Sequence, residues 1–199
     1  MLPLFPLEVV LFPGTALPLH IFEPRYKEMI GECLEQKLPF GVVLVKEKAL
    51  ARVGCTANIV TLVKTYDDGR MDIMSQGSRR FEIVNLNEER SFLRGDVLYF
   101  EDENDDAPRQ QREQVAELHK ELLALGASEP PKPDAQQPQL AFQLAASVPL
   151  DLDFKQALLA MRSESERVAS MITYYHALIP KLRVAIRART KAGGNGHVA

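Results

Sequence analysis

Two cysteines, Cys33 and Cys55, are all the thiol chemistry in 199 residues. That is too few for a disulfide framework and fits a reducing compartment. A basic excess is also lacking: 24 Lys and Arg against 27 Asp and Glu leave a formal net charge of -3. No global field therefore draws the chain towards nucleic acid or acidic lipid. Nor is there an unbroken hydrophobic run. Residues 2–22 are strongly apolar, but Pro3, Pro6, Pro13 and Pro18 interrupt them, Glu8 adds charge, and no basic region precedes them. A signal peptide needs an uninterrupted apolar stretch behind a positive start, and a membrane helix needs about 20 mostly apolar residues. Neither pattern is met, and a cytoplasmic setting is expected.

Several chemical signatures are missing too. There is no Gly-x-x-x-x-Gly-Lys-Ser/Thr loop to cradle nucleotide phosphates. Gly193-Gly194-Asn195-Gly196 is glycine-rich but follows a helical pattern rather than a strand. No serine lies in a Gly-x-Ser-x-Gly elbow. His20, His119, His176 and His197 are scattered, and no Cys-x-x-Cys or His-x-x-x-His pair offers adjacent ligands. The expectation is a protein without metal, cofactor or catalytic residues.

What is present is an ordinary globular composition, 46% hydrophobic and 26% charged, enough for a core in one large domain or two small ones. The first hundred residues read as β-structure. Residues 9–12 and 16–21 are short apolar runs split by Pro13-Gly14, and 40–45 is a valine-rich run. Residues 58–65 alternate Ile59, Thr61 and Val63 against Val60, Leu62 and Lys64. Asp67-Asp68-Gly69 predicts a hairpin turn, since Asp-Gly supplies positive φ. Residues 71–74, 80–85 and 92–100 follow as further strands. Short strands with irregular turns suggest a small closed or half-closed barrel. One helix interrupts them, marked by Tyr26, Met29, Ile30, Cys33 and Leu34 at helical spacing, with Pro24 just ahead.

The pattern changes after residue 100. Residues 101–106 form an acidic run expected to be solvated. Val115, Leu118, Leu122 and Leu125 give a helical face that ends near Gly126, and residues 129–138, with four prolines, read as an exposed loop. Residues 140–146 and 153–161 predict two short helices. Asp153 with Gln156, and Ser163 with Glu166, are spaced as capping pairs. Val168, Met171, Ile172, Tyr175, Leu178, Ile179, Leu182 and Ile186 step by three and four along a final long helix, which Pro180 should kink or break. The domain expectation is a β lobe at 1–102 with one inserted helix, a helical bundle at 103–190, and a tail at 191–199.

Order and spacing together carry a family resemblance. Leu2-Pro3-Leu4-Phe5-Pro6-Leu7, then Val10-Leu11-Phe12-Pro13-Gly14 and Leu17-Pro18-Leu19, resemble the opening of Lon N-terminal domains. His20-Ile21-Phe22-Glu23-Pro24-Arg25-Tyr26 is similar to the version in free-standing Lon-domain proteins and in cereblon. Val53-Gly54-Cys55-Thr56-Ala57, Asp68-Gly69-Arg70 and Gly77-Ser78-Arg79-Arg80-Phe81 fit the strands and hairpin that follow. Ala145-Ala146, Pro149-Leu150, Lys155-Gln156 and Glu166-Arg167 resemble the helical half of bacterial Lon N-domains. The resemblance implies an α+β fold, a PUA-like β-barrel lobe followed by a helical bundle. It also implies a substrate-binding region of ATP-dependent protease La, here free-standing, without ATPase or protease domains.

The function this implies is protein binding in quality control and proteolysis. Such a module recognises exposed segments of unfolded or misfolded polypeptides, with an ATP-dependent protease or chaperone as a further partner. Candidate polypeptide-binding residues are Phe22 and Tyr26 for apolar contact, Arg25 for its planar donor fork, and the Arg79-Arg80 pair for carboxylates. Each has a plainer alternative: Arg25 paired with a carboxylate, Tyr26 fastening the helix to the barrel, and the arginines merely solvated. Barrel lobes with irregular edge strands can accept an added strand. A different class, RNA binding, rests on the PUA-like lobe and on Lys181, Arg183, Arg187, Arg189 and Lys191. It lacks interleaved aromatics for base stacking. A cryptic hydrolase is a third possibility, for which no serine is singled out, and the long final helix could self-associate.

Overall fold

The computed structural model describes residues 1–126 and 134–193, with side chains described as far as residue 188. Six strands and five helices run in the order β1 (Leu2–Leu7), β2 (Ala16–Ile21), α1 (Pro24–Gln36), β3 (Phe40–Lys46), β4 (Ala49–Thr65), β5 (Met71–Asn87), β6 (Arg94–Phe100), α2 (Arg109–Leu125), α3 (Leu140–Ala146), α4 (Leu152–Ala160) and α5 (Glu164–Gly193). They form two compact units. The first comprises Met1–Asp102 with Ala145–Arg162, and the second comprises Glu103–Leu144 with the described chain from Ser163 onward.

In the first unit the sheet order is β2-β5-β4-β3-β1-β6, and β5 also pairs with β6. That extra pairing closes β5, β4, β3, β1 and β6 into a ring with β2 outside it. β1 lies parallel to β3, with Leu4 beside Gly41, and the other pairings are antiparallel. Leu2, Leu4, Val43, Phe81 and Ile83 fill the interior. The ring is tight because Gly41 and Gly54 leave room for the Phe81 ring: a β-carbon would approach its Cζ to 2.7 and 2.5 Å.

The strand expectations shift in three places. Residues 9–12 form no strand. Leu11 and Phe12 are both buried, which strict alternation forbids, and the loop is instead pinned by Gly14 N–H donating to the Gly77 carbonyl at 2.9 Å. Residues 71–74 and 80–85 belong to one long strand, β5, whose first half pairs with β2 and whose second half pairs with β6. β1 itself carries two prolines and was not evident as a strand. The predicted turn is present, with Gly69 N–H bonded to the Tyr66 carbonyl at 2.9 Å, but only Gly69 has positive φ, 78°.

α1 begins with proline in its first turn and ends at Lys37, whose φ is 55°. Its apolar face, Tyr26, Met29, Ile30 and Cys33, is buried. Residues 145–162 join the β unit rather than a bundle spanning 103–190. Gln156 on α4 donates to the Val53 carbonyl at 2.9 Å, and Lys46 pairs with Asp153 at 2.5 Å. Asp151 caps α4, accepting from the Asp153 and Phe154 amides. Gln156 is thus a strand contact, and the expected Asp153–Gln156 pair is not the cap.

In the second unit α2 packs on α5 through Val115, His119 and Leu122 from one helix and Val168, Met171 and Tyr175 from the other, all buried. Arg167 is fully buried. It pairs with Glu164 at 2.8 Å and lies 4.2 Å from the Phe142 ring of α3. α5 runs through Pro180 without losing its helical assignment. Residues 134–138 of the expected proline-rich loop are held by Arg112, which donates to the Ala135 carbonyl at 2.7 Å and the Gln137 carbonyl at 2.6 Å. Residues 129–133 of that loop, the Arg189 and Lys191 side chains, His197 and the glycine-rich stretch beyond Gly193 lie outside the described residues.

Candidate functional site

The segment from His20 to Tyr26 is a strand-to-helix corner that separates its aromatic residues. Ile21 is buried, Phe22 is 59% exposed and Tyr26 only 7%. The Tyr26 ring packs at a tilt against Phe5 with centroids 4.1 Å apart, fastening α1 to β1. Burial raises its hydroxyl pKa above the ordinary value. Arg25 pairs with Glu23 at 2.8 Å and lies 4.6 Å over the Tyr26 ring. Of the three candidates here, Phe22 is largely exposed, Arg25 is half exposed but paired, and Tyr26 is a packing residue.

Sequence reasoning missed the group beside Phe22. His20 stacks near Phe22 at 6.0 Å and meets Tyr66 edge-on at 5.9 Å. Asp72 joins them: His20 Nδ1 lies 2.6 Å from one carboxylate oxygen, and the Tyr66 hydroxyl donates to the other at 2.7 Å. These two bonds hold the Asp72 carboxyl below its usual pKa, and donation to Asp72 raises that of Tyr66. Lys64 and Arg70 lie 4.3 and 4.9 Å from the Tyr66 ring centroid. The cross-strand register His20↔Asp72 brings the pair together, and no local motif announces it.

Arg79 and Arg80 diverge as strand alternation requires. Arg79 is exposed, lies 4.2 Å over Tyr99 and pairs with Glu101 at 3.3 Å. Arg80 is 3% exposed. It donates to the Leu159 carbonyl at 2.9 Å, to the Met161 carbonyl and to Asp102. A side chain so enclosed tethers α4 to β5, and only Arg79 of the pair is accessible to a ligand.

Two apolar surfaces of the first unit lie at strand ends. One is a groove of about 360 Å³ lined by Met1, Leu2, Leu38, Pro39, Val97 and Tyr99, among others. It lies where β1 runs out beside β6, since their register covers only Leu2↔Gly95 and Pro3↔Arg94. The other is the far half of β4. β3 stops pairing with β4 at Phe40↔Ala57, and residues 58–65 continue alone along β5. Val60, Leu62 and Val63 are exposed there.

Reactive chemistry is muted in the described residues. Cys33 and Cys55 are free and buried, and burial pushes their thiols up to about 11 and about 12, away from the thiolate form. Among the described residues, no group of three or more His, Cys, Asp or Glu is placed to hold a metal ion. No described helix is long and apolar enough to cross a membrane. In the basic end of α5, Arg183 pairs with Glu121 at 2.9 Å, and Val184 and Ile186 are exposed beside it.

Comparison with known proteins bears on this geometry. A family model described as the ATP-dependent protease La (LON) substrate-binding domain matches residues 1–175. A Lon protease from Parabacteroides distasonis is 34% identical over 143 residues, 66% of this chain and 17% of that protein. Lon protease 1 of Hydrogenovibrio crunogenus is 30% identical over 102 residues, 47% of this chain and 12% of that protein. The chain thus corresponds to under a fifth of the length of either relative. Among solved structures, a Lon N-terminal domain protein from Xanthomonas campestris superposes with a TM-score of 0.71 at 26% identity, covering 87% of this chain and 97% of that one. The N-terminal domain of Mycobacterium avium complex Lon protease shares the fold, with a TM-score of 0.61 at 17% identity over 88% of this chain and 97% of that one.

Proposed function

The chain belongs to the ATP-dependent protease La (LON) substrate-binding domain family, and from that premise we propose that it is a non-catalytic module recognising exposed segments of unfolded or damaged polypeptides. It works in the cytoplasm as an adaptor, holding such segments for a separate ATP-dependent protease. The observation that carries this reading is the apolar exterior of the β unit. Val60, Leu62 and Val63 on β4, Val84 and Leu86 on β5, and Leu98 and Tyr99 on β6 all face solvent. Single exposed apolar residues are common, but three within four residues of one strand, Val60, Leu62 and Val63, form a local apolar surface of the kind that marks interaction sites. Phe22 extends the apolar exposure to the corner before α1, and Arg79 adds a cation beside Tyr99.

RNA binding is the weaker reading, because Arg183 is already paired within the chain and the family match concerns substrate binding by a protease. Fluorescence anisotropy with a labelled, permanently unfolded polypeptide separates the two, using its folded form and a short RNA as competitors. Saturable binding that neither competitor displaces, with the polypeptide left intact, is the expected result. Displacement by RNA, loss of binding or cleavage of the chain would overturn the reading.

A further inference from the structure

We propose that residues 58–65 of β4 are the acceptor edge onto which an extended, uncharged apolar polypeptide segment adds as a strand, an inference that rests on the polypeptide-binding reading above. The first half of β5 is the centre of a three-stranded arm, with β2 on one side and residues 58–65 of β4 on the other. The two outer edges of that arm differ in kind. β2 carries Pro18 within the strand, and a proline on an edge removes a donor and discourages further pairing. Residues 58–65 hold neither proline nor glycine, and Lys64 is their one charge. No described backbone group bonds to their outward side, since β3 ends its pairing at Ala57. Seven of the eight residues are exposed, and Ile59 is half-buried. A row of unpaired amides and carbonyls is a template for another strand.

The side chains say what kind of strand fits. Register shifts between Ile59 and Thr61 and between Leu62 and Lys64 leave Val60 and Val63 as extra residues without partners on β5. They are 61% and 62% exposed. Bulges re-aim side chains, and here they turn two β-branched apolar groups towards solvent on an edge whose first six residues are uncharged. A charged group entering opposite residues 58–63 would be desolvated against this surface without a counter-ion, since the one charge of the edge, Lys64, lies beyond them. An uncharged segment alternating apolar and small polar residues meets no such cost. Backbone bonds would supply sequence-tolerant affinity, and the valines would select for exposed apolar stretches.

Hydrogen exchange on the intact chain tests this, with and without a short labelled peptide alternating valine and threonine, alongside anisotropy titration of the same peptide. The expected result is slower exchange at the amides of residues 58–65 on peptide addition. A V60K/V63K variant should bind about tenfold more weakly or worse, with its circular dichroism and thermal midpoint showing the fold retained. A peptide N-methylated at alternate residues should fail to bind, because one of its hydrogen-bonding edges is gone. If the peptide binds the wild type but residues 58–65 gain no protection and V60K/V63K binds equally well, the edge proposal falls while polypeptide recognition stands. If neither this peptide nor an unfolded polypeptide binds, both fall. Protection of 58–65 that rises with protein concentration in the absence of peptide would assign the edge to a second copy of the chain and overturn the proposal.

Discussion

Arg80 donates to the backbone carbonyl of Leu159 at 2.9 Å, joining β5 to the end of α4 across 79 positions of sequence. The same guanidinium also serves the Met161 carbonyl and Asp102 and lies 4.6 Å from the Phe100 ring. A planar fork with five donors is the one side chain that meets all these acceptors at once. It explains why a helix lying after a separate helical unit in sequence belongs with the barrel in space.

Arg80→Met should therefore destabilise the β unit by about 3 kcal/mol, because two carbonyls and a carboxylate lose their donor in a buried setting. Arg80→Lys should recover only part of this, as an ammonium cannot reproduce the fork. Urea denaturation followed by circular dichroism measures both. An unchanged midpoint for Arg80→Met would show that the enclosure adds nothing. Arg79→Met, one residue away but exposed, should leave the midpoint within about 0.5 kcal/mol.

Gly77 faces a harder constraint. A β-carbon there would stand 2.1 Å from the Phe12 carbonyl oxygen and 2.9 Å from its carbon, both backbone atoms that cannot rotate aside. Gly77 also exchanges backbone bonds with the loop, donating to the Thr15 carbonyl and accepting from the Gly14 amide, each at 2.9 Å. Gly77→Ala is expected to push the loop off the sheet, costing about 1–3 kcal/mol. Exchange at the Gly14 and Thr15 amides should quicken before that of the barrel strands. A stable variant with unaltered exchange would contradict the close approach.

These two residues mark what the sequence let one read and what it did not. Periodicity located α1, α2 and α5, because an apolar helical face repeats within a few residues and needs no distant partner. The Asp-Gly signal located the β4–β5 turn for the same local reason. Pairing is not local. Nothing in the prolines of β1 shows that Leu4 lies beside Gly41, and nothing in the alternation of 58–65 shows that β3 stops short of it. The candidate residues divide the same way. Motif spacing singled out Phe22, Arg25, Tyr26, Arg79 and Arg80, but whether each faces water depends on contacts set elsewhere in the chain. Arg80 is enclosed by α4, Tyr26 lies against Phe5, and the His20–Asp72–Tyr66 group exists only through strand register.

The start of α5 depends on a doubled cap. The Ser163 hydroxyl accepts the Glu166 amide at 3.0 Å and donates to Asp105 at 2.6 Å, while Asp105 also takes the Glu164 amide at 3.1 Å. Ser163→Ala should cost about 1 kcal/mol, the usual effect of losing an N-cap. The Ser163 hydroxyl is also the main cause holding the Asp105 carboxyl below its ordinary pKa, ahead of the backbone amides. The variant should therefore move the Asp105 titration, followed by NMR, upward towards the usual carboxylate range. No movement would mean the hydroxyl bond is not made in solution.

His119 gives the second unit a defined response to acid. Its ring is buried between α2 and α5 and shares a 2.7 Å hydrogen bond with the Tyr175 hydroxyl, and burial lowers its pKa to about 4. In the unfolded chain an imidazole titrates near 6.5. Between these values the unfolded state binds a proton that the folded state refuses, so stability rises with pH across the window and is lost as pH falls from about 6.5 to about 4. One proton sets the limit, about 1.4 kcal/mol per pH unit. His119→Gln keeps a polar partner for Tyr175 and removes the titration. Its unfolding midpoint in urea should fall less steeply than that of the wild type over this window, while above pH 7 the gap between the two should be constant. Parallel curves from pH 7 down to pH 4 would show that His119 takes up its proton in the folded state as readily as in the unfolded chain, and that the packing of α2 on α5 does not exclude it.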